Sequence, residues 1–414
     1  MLNYTLMLRV NIRGKKIKYF RYKHNRGVKK YFSIIRLNKS SYITMAVISG
    51  ILLGLPSLFI NETLEAQNMQ ITQPQSEQKV LSVVSAGKKN GVSNPPSVSK
   101  DIENSSKEKS TKATSSSDGN VMLPKPSWVN MPLFVDPNNG ASRYLATISG
   151  SPDTKYVARM AQTPVAQWFG DWNSNVTADV MSYTLAASNS NSIPVVVVYS
   201  IPNRDCGGYS VGGASGVSNY TNWVQKVANG IGQRRAVVVL EPDALGALDC
   251  LPEGLRQERL SALSEAVSIL KSNSNTWVYI DAGTPVWQPA DVMAGRLKSA
   301  NISEADGFSI NVSYFAPTAS NYAYGDKLSK LVGNKHYVID TSRNGGNNKV
   351  TGMQCNPAFA SFGDTPTTNT QRQLADALLW IKIPWESDGP CNGSPNPGQE
   401  FWSYAMTLAR NANW

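Results

Sequence analysis

A short β-branched run that ends in a polar or acidic residue, followed by an amphipathic stretch of ten to twenty residues, can be counted seven times between Val165 and Asp388. No other feature restricts the fold as much. Read as strands, the runs are Val165–Gly170, Pro194–Ser200, Ala236–Leu240, Trp277–Ile280, Gly307–Ile310, His336–Ile339 and Ala377–Ile381. Their tips carry Asp171, Asp205, Glu241 with Asp243, Asp281, Asn311, Asp340, and finally Lys382, Glu386 and Asp388. Continuous apolar strands alternating with helices predict a parallel sheet covered on both faces. The polar residues gather at one end, where the βα loops of a barrel meet. The expected architecture is α/β: a distorted seven-stranded parallel β/α barrel, TIM-like, in one domain. A doubly wound open sheet is the alternative, although no Gly-rich phosphate loop follows the first run.

That unit occupies about 126–414, long enough for one large core. Charge explains what precedes it. The formal net charge is +11, yet residues 1–60 alone hold twelve Lys and Arg and no acid, which leaves the remainder close to neutral. A basic average would suggest a nucleic-acid partner, but positive charge confined beside the apolar segment 43–60 reads as an export signal. Residues 1–66 are therefore expected to be that signal, cleaved after Ala66, and no nucleic-acid partner is expected. An uncleaved anchor is the alternative, since the apolar run is about long enough to span a bilayer. The membrane is expected to be met only there. Residues 67–125, rich in Ser, Lys, Asn and Gln, cannot bury enough apolar surface to fold and read as a disordered linker. The folded unit is then secreted or held at the cell surface, and a monomer is expected.

All four cysteines lie in the folded unit, and an exported chain with an even count defaults to two disulfides. Sequence alone leaves the three possible pairings open. With only His24 and His336 present, a zinc site or a Ser-His-Asp triad has no material, and no metal or cofactor is expected. An acidic strand tip is often a helix N-cap. That reading weakens for Asp243 together with Asp205 and Asp388, because the latter two sit in Gly-rich loops that expose backbone to a ligand. A carboxylate cluster without metal or histidine suits glycoside hydrolysis, in which one acid protonates the leaving oxygen and a carboxylate activates water or attacks the sugar.

Two long segments carry a family resemblance: Val198-Tyr-Ser-Ile-Pro-Asn-Arg-Asp-Cys-Gly-Gly208 and Val238-Val-Leu-Glu-Pro-Asp-Ala-Leu245. With Asp281-Ala-Gly283, Asn311-Val-Ser313, Asp340-Thr-Ser-Arg-Asn-Gly345, Cys355-Asn-Pro357 and the stretch from Trp380 to Gly389, the chain resembles a family 6 glycoside hydrolase throughout 126–414. Those are cellulases that cut β-1,4-glucan with inversion. The resemblance implies a β-1,4-glucan chain as substrate, Asp243 as general acid, Asp205 as the carboxylate that keeps it protonated, and Asp388 as base. The base role is the least firmly implied, with Ser210 as a holder of the attacking water. It also implies sugar-binding positions at Lys382, Glu386, Asp281 and Asn311, a stacking platform at Trp287, and the pairings Cys206–Cys250 and Cys355–Cys391. Asp281 has a helix cap as its alternative. Trp168 and Trp172 are weaker platform candidates, set against a place in the core.

Four departures fall on the leaving-group side. Thr284-Pro285 follows Asp281-Ala-Gly283 where the family has His, Gln354 replaces a Trp, Ala358-Phe-Ala360 replaces a Pro-Gly-Arg-like run, and Trp385 stands at a usual Gly. Trp385 is a candidate replacement platform. Only 43 residues lie between Cys206 and Cys250 and 35 between Cys355 and Cys391, little chain for a roof. An open-cleft endoglucanase is thus expected. The alternatives are an exo-acting cellobiohydrolase and a non-catalytic surface glucan-binding protein.

Overall fold

The computed structural model describes residues 123–346 and 355–414, with the backbone of four short strands between Thr5 and Lys23. Those four form two antiparallel pairs, Thr5–Leu8 with Phe20–Lys23 and Asn11–Ile12 with Lys15–Lys16. The apolar segment 43–60, the cleavage point after Ala66, the linker up to residue 122 and Gln354 lie outside the described residues. No helix among the described residues is long and apolar enough to cross a membrane.

Seven parallel strands build the main unit: β1 (Gln167–Gly170), β2 (Val195–Tyr199), β3 (Ala236–Leu240), β4 (Thr276–Asp281), β5 (Gly307–Ile310), β6 (His336–Asp340) and β7 (Ala375–Leu379). Sheet order is sequence order, each strand pairing with the next. The last strand starts two residues earlier than its apolar pattern suggests. Tyr337 faces Ala375 while Val338 faces Ala377, so Asp376 enters as a bulge, and a charged residue there hides the strand start.

Side-chain parity explains the apolar runs. Val195, Val197, Tyr199, Val237, Val239, Tyr279, Val338, Ala377 and Leu379 pack inside the barrel with Trp128. Their alternates, Val196, Val198, Val238, Leu240, Val278, Ile280, Phe308, Ile310 and Ile339, pack in a second core with residues of the surrounding helices. Both faces of each strand are buried, which removes any apolar–polar alternation. The helices are α1 (Gly140–Leu145), α2 (Thr154–Ala161), α3 (Val176–Asn189), α4 (Val217–Ile231), α5 (Glu253–Lys271), α6 (Ala290–Ser299), α7 (Thr318–Leu331) and α8 (Trp402–Asn411). After the strands, helices begin at Asn175, Gly216, Pro252, Pro289 and Pro317, none of them an acidic strand tip. The N-cap reading of the tips therefore fails, Asp281 included, and the acids are left for other work.

Among the described residues no strand pairing joins β1 to β7, so the barrel is open on one side. The seam is bridged by the Ala166 amide donating to the Trp380 carbonyl (2.9 Å) and by the Trp168 indole N–H donating to the Ile381 carbonyl (2.8 Å). At the opposite end from the strand tips a buried polar chain runs from the Trp128 indole to the Tyr279 hydroxyl (3.0 Å) and on to Asp376 (2.7 Å). His336 meets Asp376 with Nδ1 (2.7 Å) and the Leu123 carbonyl with Nε2 (3.0 Å). Leu123 is thereby tied to the floor of the barrel.

Candidate active site

Leu240-Glu-Pro-Asp243 places two carboxylates one residue apart, and the structure turns them to different tasks. Glu241 has no exposed surface, and its two carboxylate oxygens accept the Ser200 amide (2.9 and 3.0 Å) and the Ile201 amide (3.0 Å). It fastens the end of β2 to the end of β3. Burial pushes its carboxyl up to about 7 against the pull of those donors. Asp243 instead lines a cleft of about 270 Å³ with Asp205, Trp287, Gln288 and Tyr314.

Asp243 is built to hold a proton. Its amide donates to Asp281 Oδ1 (3.0 Å), while its own Oδ1 is shielded from solvent and has no hydrogen-bond partner. Burial raises its pKa well above the usual carboxylate range, and the charges of Asp281 and then Asp205 push the same way, opposed by a hydrogen bond from Tyr314. Burial raises Asp281 as well, but Asp281 also accepts the Gly283 amide (3.0 Å) and the Ser309 hydroxyl (3.0 Å). Three donors favour its charged form, so the proton shared by the pair rests on Asp243. Of the neighbouring carboxylates Asp281 raises Asp243 most, ahead of Asp205.

Asp205 sits in the loop after β2, where its Oδ2 accepts the Ser210 amide (2.7 Å). The adjoining Cys206 is bridged to Cys250 with Cα atoms 6.2 Å apart, which staples this loop to the one after β3. Arg204 pins the same loop by donating to Asp171 (2.6 Å), the Tyr199 carbonyl (2.8 Å) and the Ser210 carbonyl (2.9 Å). In the loop after β7, Asp388 Oδ2 accepts from Arg343 Nη1 (2.9 Å) and the Asn356 amide (3.1 Å), and Cys355–Cys391 ties that region together. Both bridges match the pairing implied by the resemblance. Asp340 accepts the amides of Ser313, Ser342, Ile381 and Lys382, gathering the loops after β5, β6 and β7 around one buried carboxylate.

Backbone strain concentrates at these strand ends. Asn203, Asp205, Cys206, Glu241, Asp243, Asn311 and Ser313 all have φ between +49° and +70°, each at a cost of roughly 1–2 kcal/mol for a side-chain-bearing residue. The bridges and buried carboxylates just described are what hold them there.

Trp287 is half-buried over Gly246, where a Cβ would fall 2.4 Å from the indole, so only glycine admits the ring. Tyr314 stands beside it with ring centroids 5.8 Å apart. Thr284 holds this segment in place: its carbonyl accepts the Trp287 amide (3.0 Å) and its hydroxyl donates to Asn311 (3.3 Å).

Several expected site residues serve the frame instead. Asn311 has no exposed surface; its side chain donates to the Asp340 carbonyl (2.9 Å) and accepts the Ala316 amide (3.1 Å), so it has nothing left for a sugar. Trp168 is committed to the seam through Ile381 and an edge-on contact with Tyr199 (5.1 Å). Trp385 is only 2% exposed and stacks on Trp402 (5.7 Å), so it cannot be a replacement platform. Lys382 and Glu386 form a 3.8 Å ion pair in the loop after β7, with Lys382 almost wholly buried. Tyr314 was not foreseen, because nothing in Asn311-Val-Ser-Tyr314 marks a hydroxyl that meets the Asp243 carboxyl two strands of sequence away.

Residues 128–412 match the profile of the family described as "Glycosyl hydrolases family 6". The chain is 41% identical to Endoglucanase A of Cellulomonas fimi over 68% of its own length and 62% of that protein's, so it spans less than two thirds of this relative. With Endoglucanase 1 of Streptomyces halstedii it shares 42% identity over 65% of this chain and 85% of the other. A solved structure, the endoglucanase Cel6 from Mycobacterium tuberculosis in complex with methyl-cellobiosyl-4-deoxy-4-thio-β-D-cellobioside, is 38% identical with a TM-score of 0.67, covering 69% of this chain and 99% of that one. By its strand order, its acid-bearing strand ends and these matches together, the chain belongs to glycosyl hydrolases family 6.

Proposed function

We propose that the enzyme hydrolyses internal β-1,4-glucosidic bonds of cellulose or a related β-glucan with inversion, acting as an exported monomer. The observation that carries this reading is the shielded Asp243 carboxyl, kept neutral by burial and by Asp281 and Asp205 at the floor of a cleft open to solvent. A neutral carboxylic acid protonates the glycosidic oxygen as its bond to the anomeric carbon breaks. Water attacks that carbon from the opposite face and gives up its proton to a second carboxylate. Asp388 serves as that base: both bonds it receives are made to Oδ2. Ser210, whose amide and carbonyl are already engaged, offers its hydroxyl to position the water. Trp287 and Tyr314 give the sugar an apolar face to stack on.

Internal cutting is supported by the short disulfide-stapled loops and by the endoglucanase names of the relatives at 41% and 42% identity. The test is to follow viscosity and reducing ends together on carboxymethylcellulose. A steep viscosity fall at low reducing-end yield is expected; reducing ends released without a viscosity fall would establish end-cutting instead.

A further inference from the structure

Arg259, on α5, is only 4% exposed and has no part in the chemistry described above. Among the described residues it forms no ion pair; the Glu241 charge acts on it from a distance, and its Nε is buried without a hydrogen-bond partner. A buried cation held in this way is costly, and an apolar side chain of similar volume would fill the space at lower cost. What the guanidinium supplies is donors. Its Nη2 donates to the Pro202 carbonyl (3.0 Å) and the Asn203 carbonyl (2.8 Å), and its Nη1 to the Ala244 carbonyl (3.3 Å). The first two lie just before Asp205 in the loop after β2, and the third adjoins Asp243 in the segment after β3.

Glu241 grips the same turn with the opposite charge, accepting the Ser200 amide (2.9 and 3.0 Å) and the Ile201 amide (3.0 Å). Four successive residues are thus held by their main chain: the N–H groups of Ser200 and Ile201 on an anion, the carbonyls of Pro202 and Asn203 on a cation. Charge-assisted bonds of both signs leave this turn one favoured orientation. The restraint has something to oppose, since Asn203 (φ +56°), Asp205 (+57°), Glu241 (+52°) and Asp243 (+70°) all sit in the left-handed region. Cys206–Cys250 staples the same two loops further along the chain, so the fold does not hang on Arg259 alone.

We propose that Arg259 is a positioning residue: with Glu241 as its counterpart it sets the separation of Asp205 from Asp243 by holding the bases of the two acid-bearing loops. Neither Arg259 nor Glu241 lines the cleft, so the pair acts through the two aspartates and touches no sugar. This rests on the glucanase reading above and deepens it by naming what fixes the geometry of its acid.

The test uses the full chain with Arg259→Met, which keeps much of the volume and removes every donor, and Arg259→Lys, which keeps the charge. On a soluble cello-oligosaccharide Arg259→Met should lower kcat about tenfold to a hundredfold, the scale of a small misplacement of reacting groups, with KM within about twofold because Trp287 and Tyr314 stay in place. Freed of the clamp, the two acids relax apart. The alkaline limb of kcat/KM should then move toward acid by about half a pH unit, as for a charge drawn back from about 6 to about 8 Å at an effective dielectric constant of about 20. Arg259→Lys should fall between the parent and Arg259→Met in both readouts, and it carries the test if Arg259→Met melts below the assay temperature. Unchanged kcat and limb in the folded variants overturn the proposal. A lower kcat with the limb unmoved overturns it too, since a smaller folded fraction would do the same. If the parent cleaves no β-glucan, the glucanase reading fails by itself: a 13C titration of the Asp243 carboxyl, assigned through Asp243→Asn, still reads the shift without turnover, and an unmoved carboxyl in Arg259→Met overturns the clamp.

Discussion

Replacing Asp281 with Asn separates the charge of this residue from its shape. The amide oxygen of Asn still accepts the Asp243 and Gly283 N–H groups that Asp281 Oδ1 accepts at 3.0 Å, and the Ser309 hydroxyl can reverse to accept from the amide nitrogen. What disappears is a negative charge one hydrogen bond from the acid's own backbone. At a carboxyl separation on the order of 5 Å and an effective dielectric constant of about 20, the repulsion that keeps Asp243 protonated is about 3 kcal/mol. Allowing half of that for solvent over the cleft leaves roughly 1.5–3 kcal/mol, or about tenfold to a hundredfold in proton affinity. Losing a like-charged neighbour lowers proton affinity, so the alkaline limb of kcat/KM should move toward acid. On that limb Asp281→Asn should fall about tenfold to a hundredfold below the parent, while the low-pH plateau stays within a few-fold. The assay is a kcat/KM profile between about pH 4 and 9 on a soluble cello-oligosaccharide, with circular dichroism to check folding. An unmoved alkaline limb with the plateau retained would refute the reasoning; a uniform loss at every pH would make Asp281 a positioning residue only.

Trp287→Ala should raise KM about five- to tenfold and change kcat little, since it removes a ring contact worth roughly 1 kcal/mol; steady-state kinetics on oligosaccharides decide it. His336 faces two acceptors, the Asp376 carboxylate and the Leu123 carbonyl, an arrangement that favours the cationic ring, which can donate with both nitrogens. Burial pulls its pKa down, but Asp376 and Leu123 outweigh that and leave it raised above 6.5. Stability from the cation is therefore complete below pH 6.5 and is lost as pH rises through the raised value. His336→Ala should cost about 3 kcal/mol near pH 5.5, a Tm drop of roughly 6–12 °C, and the gap to the parent should shrink toward pH 9. Trp385→Ala should destabilise by about 3–5 kcal/mol in thermal unfolding while leaving KM unchanged, as expected of a core residue.

The barrel was legible because both faces of every strand are buried, which leaves uninterrupted β-branched runs whose spacing survives in the sequence. Both disulfides were legible for another reason: their cysteines lie in long motifs of fixed order, the same motifs that carry Asp205 and Asp243. Orientation was not. Glu241 and Asp243 look equivalent on paper, but their positive φ angles turn one onto the amides of β2 and the other into the cleft. Asn311 and Trp385 were misplaced because a polar strand tip or an aromatic in a loop carries no sign of whether the surrounding helices cover it. Tyr314 and the Asp281–Asp243 contact depend on loops from different strands meeting in space, which spacing along the chain does not encode. The early start of β7 was hidden by Asp376, a charge that the bulge places where Tyr279 and His336 satisfy it.

Asp243→Asn tests the central claim most directly, measured on carboxymethylcellulose and on an aryl cellobioside whose phenolate leaves without a proton. If Asp243 is the acid, hydrolysis of the polymer should fall by about 10²–10⁴-fold, with a far smaller loss on the activated aryl substrate. Equal losses on both, or polymer hydrolysis close to that of the parent, would contradict the assignment.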